Sequence, residues 1–380
     1  MKLLLPLLAG NAVAMMAAAL MLWLFGAASP ALLAHLTLAM GIMPLIIAAM
    51  AYFVPVLTRS DAAPRAIEGM ALLAWLGGLA MVVSLADGVA RDATASIALT
   101  IAGVLLAATA AARLLLWTLT RARRSLGPPH PGLYWYVAAL GFLLAALATA
   151  LLLVFWPAQR VALRLVHLHA NLLGFVALTA IGTLQVLLPT AAGRMDSQAA
   201  TRLTQDLKFG VAGVALLALG AGFSGPLAAI GAALFLIPVV RMGTRWTMIY
   251  SDHLGRLHGA ATALGLTCVG LIGLLFAGLG HGLGYFHGRD ALPGFVLAFL
   301  LPLVSGAAMQ LLPVWLRPGR QDAWHASLRS ALGRYSGIHA PLLVGGGLAV
   351  ACGYAQGLWL AAAGSALLLA VAVRALITNR

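Results

Sequence analysis

Three histidines, His35, His167 and His169, stand near the starts of long apolar runs. An ionisable side chain inside a membrane-length apolar segment is costly, so it is a functional candidate by default. Neutral imidazole is a common ligand for copper and iron, and haem iron is often held by histidine. His167 and His169 are two positions apart, which is about 200° around a regular helix, so only one of them can face a shared ligand. Their run, VHLHANLLGFVALTAIGTLQVLLPTAAGR, closes on Pro189 and Arg194. Asn171, one turn after His167, is positioned to be its partner. The plainer reading is of interfacial histidines satisfied by backbone carbonyls or water.

Other groups extend this set. Arg160 and Arg164 lie one turn apart just before His167 and could pair with the propionates of a haem. Ordinary snorkelling to the interface explains them equally. His281 and His287 lie in a glycine-rich stretch, GLGHGLGYFHGRD, that could fold over one mouth of the protein and add ligands. Asp87 is a candidate hydrogen-bond acceptor behind a ligating histidine, or simply a solvated end charge. No Walker loop, Ser–His–Asp arrangement, CxxC pair or CxxCH haem-attachment sequence occurs, so nucleotide and hydrolase chemistry have no support.

The elements that carry these residues repeat. His35 precedes Pro55 by twenty positions and His169 precedes Pro189 by twenty, and the two runs align throughout. A third copy, PGFVLAFLLPLVSGAAMQLLPVWLR, ends near Pro313 and carries Pro293 at the histidine position. Seven positions before each proline lies a small residue: Ala48, Gly182 and Gly306. The chain is 63% hydrophobic and 8% charged, a balance that belongs to polytopic α-helical membrane proteins. Apolar runs at 3–26, 31–56, 67–89, 95–119, 132–156, 161–190, 209–223, 225–243, 254–279, 292–316, 338–356 and 357–377 predict twelve transmembrane helices, the seventh, eighth, eleventh and twelfth short or poorly separated. The repeat prolines are expected to end helices two, six and ten. That spacing implies one domain over 1–380, built from three four-helix units near 1–124, 132–250 and 254–380. Helices two, six and ten should be its inner helices, with Gly182 and Gly306 at close contacts.

The net charge of +14 is not a nucleic-acid signal, because the basic residues lie between apolar segments, where membrane topology accounts for them. Lys2, Arg59, Arg121, Arg194, Arg245, Arg317, Arg380 and most others fall on one side. Arg91, Arg160, Arg164 and Arg289 fall on the other. That bias predicts a multi-pass protein of a bacterial inner membrane with both termini cytoplasmic and with loops 58–66, 120–131, 191–208, 241–253 and 317–337 on the cytoplasmic side. His35, His167, His169, His281 and His287 would then lie on the outer side, and His325 in a cytoplasmic loop. The first apolar run exceeds a usual signal-peptide core and is read as a retained helix. Cys268 and Cys352 both fall in apolar runs and read as core residues without a disulfide.

A twelve-helix, threefold pseudo-symmetric bundle with histidines in helices two and six resembles subunit I of the haem–copper oxidases. More specifically, His167-x-His169-x4-Gly174-Phe175, followed by Gly182, Pro189 and Gly193-Arg194, is similar to the signature of the NnrS-type membrane proteins. Those are haem- and copper-associated and linked to nitric-oxide metabolism. Two departures stand out. Ala170 replaces the acidic residue expected after the second histidine, and helices seven and ten lack the histidines of a complete oxygen-reducing centre. The resemblance implies a membrane haem- and/or copper-binding protein of respiratory or nitric-oxide-related redox chemistry. It would be served by a periplasmic electron donor or a respiratory subunit. The alternative is a non-enzymatic permease or assembly factor that keeps an oxidase-like fold without a full catalytic centre.

Overall fold

A computed structural model describes residues 4–379; Lys2 and Arg380, two of the basic residues assigned to the cytoplasmic side, lie outside the described residues. Among those described, every regular element is helical. Eleven helices are long and apolar enough to cross a membrane. They are α1 (Leu4–Leu24), α2 (Pro30–Thr58), α3 (Arg65–Ser84), α4 (Ala93–Arg123), α5 (Gly132–Phe155), α6 (Pro157–Ala192), α7 (Ala199–Phe223), α8 (Gly225–Leu254), α9 (Ala260–Gly282), α10 (Gly288–Leu316) and, after the shorter apolar α11 (Ser336–Ala351), α12 (Gly357–Thr378). The chain is thus an all-α, multi-span membrane protein.

Two expectations about length are corrected. Helices α7 and α8 have 25 and 30 residues and are not short. Segments 199–208 and 241–253, read from the sequence as loops, are the ends of these helices. Arg202, Gln205, Lys208 and Arg241 are good helix formers, so charge there marks where the helix leaves the apolar layer and not where it stops. Helix α11, at 16 residues, spans only about 24 Å at 1.5 Å per residue.

Local chemistry sets the helix ends. The Ser29 hydroxyl accepts the Leu32 N–H and Pro30 takes the first helical position, which starts α2 five residues before His35. Asp92 caps α4 by accepting from Thr94 and Ala95. The three repeat prolines lie in the last turn of their helices and do not end them. Pro55 precedes Thr58, Pro189 precedes Ala192 and Pro313 precedes Leu316, each by three residues. The first two copies close identically. Arg59 (φ 51°) and Gly193 (φ 64°) turn left-handed, and the next N–H, from Ser60 or Arg194, donates back to the proline carbonyl at 3.0 and 3.1 Å.

The deepest similarity among the copies is one that hydropathy does not show. Each repeat helix contains a π-helical segment: Leu36–Ile42 in α2, Ala170–Ala177 in α6 and Val296–Leu300 in α10. The three overlap when the prolines are aligned, the first two beginning 19 and the third 17 positions before its proline. These helices are also the most enclosed spans, with 56%, 83% and 61% of their apolar windows buried, against 22–50% elsewhere. Neighbouring backbones come close at the π segments. A Cβ on Gly78 of α3 would lie 2.9 Å from the Met40 nitrogen, and one on Gly347 of α11 would lie 2.5 Å from that of Ala298. Small residues make such approach possible where lipid supplies no hydrophobic drive between helices. Gly182 meets Trp135 of α5 and Gly306 meets Leu264 of α9 in the same manner.

The chain forms two compact units, residues 4–182 with 200–235 and residues 183–199 with 236–379. In the first, α1 and α3 pack on the π segment of α2, and α5 packs on that of α6. In the second, α9 and α11 pack on the π segment of α10, and α11 pairs with α12. Both cysteines are free, and buried Cys268 donates to the Val239 carbonyl.

Candidate functional site

His35 and His167 come together in the first unit. Their ring centroids are 6.0 Å apart and their planes are 21° from parallel. Repeat alignment pointed to His169 as the counterpart of His35, with His167 as alternate. The structure places the alternate beside His35. The reason is helix phase: the π segment begins only after His169, so His167 and His169 still diverge by about 200°.

Each of the three imidazoles is oriented by a backbone carbonyl. Nδ1 of His35 donates to Ala31 O at 2.7 Å, Nδ1 of His167 to Ala146 O of α5 at 2.8 Å, and Nδ1 of His169 to Leu165 O at 2.8 Å. A carbonyl oxygen only accepts, so the proton sits on Nδ1 and the neutral ring presents Nε2 with a bare lone pair. That is the arrangement in which a histidine ligates, with its second nitrogen tied down behind it.

Asn171 completes the pair. Its amide nitrogen donates to His167 O at 2.9 Å and stands 3.4 Å from His167 Nε2. That carbonyl also accepts from the Ala170 N–H, at the start of the π segment. In the first copy a side chain from another helix reaches the π segment: Asn11 of α1 donates to Met40 O at 2.8 Å, and Trp75 donates to Asn11 at 3.4 Å. Thr37, which aligns with Asn171, is fully buried and its hydroxyl has no partner.

The remaining candidates separate. Arg160 and Arg164 are exposed and share the helical stripe of His167, at spacings of seven and three residues. His281 and His287 belong to the second unit. There the His281 ring packs edge-on against Phe286 at 5.8 Å, and His287 is exposed. Asp87 is exposed at the start of a short helix, Asp87–Ala90. Among the described residues no group of three or more His, Cys, Asp or Glu side chains could hold a metal ion. His325, read from the sequence as a loop residue, is buried in the helix Ala323–Leu332. There it bridges Asp322 Oδ1 at 2.7 Å and Arg317 O at 2.8 Å.

No protein-family model, curated protein or solved structure matches this chain. The chemistry of the pair therefore stands on its own residues. It is a stacked pair of imidazoles, each with Nδ1 held by a backbone carbonyl.

Proposed function

We propose that the protein is a membrane haem- and/or copper-binding protein in which His35 and His167 hold the iron or copper and His169 stands by. Redox chemistry of a respiratory or nitric-oxide-related kind is the function that such a centre serves. The observation that carries the reading is the pairing of two imidazoles whose Nδ1 protons are both committed to backbone carbonyls. A haem iron already has four nitrogens of its own, and a copper(I) ion is content with two soft or imidazole ligands, so a two-histidine site suffices for either. The frame of the proposal is an oxidase-like bundle in a bacterial inner membrane, termini cytoplasmic, with the pair toward the periplasmic face and a periplasmic donor or respiratory subunit as partner. The second reading, a permease or assembly factor, is favoured by the lack of a third ligating side chain among the described residues.

The test is an absorption spectrum with metal analysis of purified full-length protein. A Soret band or stoichiometric copper that disappears in both His35→Ala and His167→Ala supports the proposal. Colourless, metal-free protein from cells supplied with both cofactors overturns it in favour of the second reading.

A further inference from the structure

The nitrogen that His167 offers to a ligand is not idle. Its Nδ1 proton is committed to Ala146 O, so Nε2 is an acceptor, and the amide of Asn171 stands 3.4 Å from it. One N–H of that amide is anchored on His167 O at 2.9 Å, and the second is then free to point at Nε2. The amide has two protons and two acceptors on a single residue, and both lie one turn back along α6. Asn171 lies in the π segment that begins at Ala170 and shares the His167 carbonyl with the Ala170 N–H.

We propose that Asn171 is a displaceable guard on the ligating nitrogen of His167, a positioning residue that sets which ligands the pair accepts. The proposal rests on the reading of His35 and His167 as a metal-binding pair. A ligand enters by replacing Nδ2–H···Nε2 with a metal–Nε2 bond, while the hydrogen bond to His167 O is retained. A strong Lewis acid with an affinity for imidazole, such as copper(I) or haem iron, repays that exchange. A weakly bound hydrated cation does not.

The test uses the full chain in detergent, metal-free, with two readouts. The first is the rate at which diethyl pyrocarbonate modifies His167, measured by peptide mass spectrometry with His35 as internal reference. The second is copper(I) affinity by competition with a chromogenic chelator. In Asn171→Ala, modification of His167 should accelerate about 3- to 10-fold and copper(I) should bind tighter by a similar factor, the worth of one net hydrogen bond. Asn171→Leu, which keeps the side-chain volume, serves the same purpose should the alanine variant not fold. Unchanged modification overturns the guard whether or not copper binds. Faster modification with unchanged copper affinity also overturns it. Faster modification with no copper bound by any variant, wild type included, leaves the guard standing and overturns the reading of the pair as a copper site.

Discussion

The imidazoles of His35 and His167 face each other across 6.0 Å although neither is the repeat counterpart of the other. His35 aligns with His169, and His167 aligns with Leu33. The pairing is therefore asymmetric with respect to the sequence alignment, and its two members are separable by mutation. His35→Ala and His167→Ala should each reduce cofactor content per mole of folded protein to a small fraction of wild type. His169→Ala should retain most of it. Equal losses in all three variants would remove the distinction between the two histidines of α6.

The π segment of α2 should be as sensitive as the histidine it follows. Gly78 has no room for a methyl group against the Ala39–Met40 backbone, whereas Gly10 of α1 has open space around it. Gly78→Ala should cost about 1–3 kcal/mol of stability by overpacking. Gly10→Ala should be neutral, or stabilising by up to about 1 kcal/mol through helix propensity. Thermal melting of the two variants in one detergent decides; similar melting temperatures would mean that the close contact is slack.

His325 is not the inert control that a loop position would provide. Its ring donates from Nδ1 to the Asp322 carboxylate that caps the helix and from Nε2 to the Arg317 carbonyl, and the Arg317 guanidinium lies 4.0 Å over Trp324. His325→Ala should lower stability by about 1–2 kcal/mol, the scale of a lost helix cap. The exposed His287 is the better neutral comparison, provided that His287→Ala leaves cofactor content intact. The measurement is chemical or thermal unfolding of the purified variants, and an unchanged midpoint for His325→Ala would refute the role of the cap.

Acid should loosen the same segment. The hydrogen bond from the His325 side chain, followed by that from its backbone, holds the Asp322 carboxyl below its usual range. A carboxyl depressed in the folded state stabilises it above the ordinary value, about 4, and that contribution is lost as pH falls through the depressed value. Trp324 fluorescence should thus report a change on the acidic side of pH 4, and Asp322→Asn should abolish that change. A wild-type signal flat down to pH 2 would contradict it.

Orientation is testable at two exposed positions. Leu126 is 98% exposed between α4 and α5, and Ser327 is exposed between α10 and α11. With Cys268 and Cys352 replaced, Leu126→Cys and Ser327→Cys should both label only from the cytoplasmic side. Periplasmic labelling of either would invert or break the topology.

The helices were legible because apolar length is written directly into the chain. The ends of α7 and α8 were not, since Arg202 and Arg241 are compatible with both loop and helix. The pairing of His35 with His167 was hidden because alignment carries register but not which face meets which. The carbonyl of Ala146, which orients His167, comes from another helix and has no sequence signature. His325 was missed as a buried residue because its cap reads Asp-x-x-His, whereas the usual capping box ends in Glu or Gln.

The π segments and the histidines are distributed differently. A π turn amounts to one extra residue accommodated inside an α-helix, and all three aligned helices hold it at overlapping positions although they share almost no residues there. The histidines do not follow this distribution: two copies have one at the aligned position, the third has Pro293, and His167 exists in a single copy. The distorted backbone is thus what the three helices have in common, and each imidazole is a feature of its own helix, set on that shared distortion.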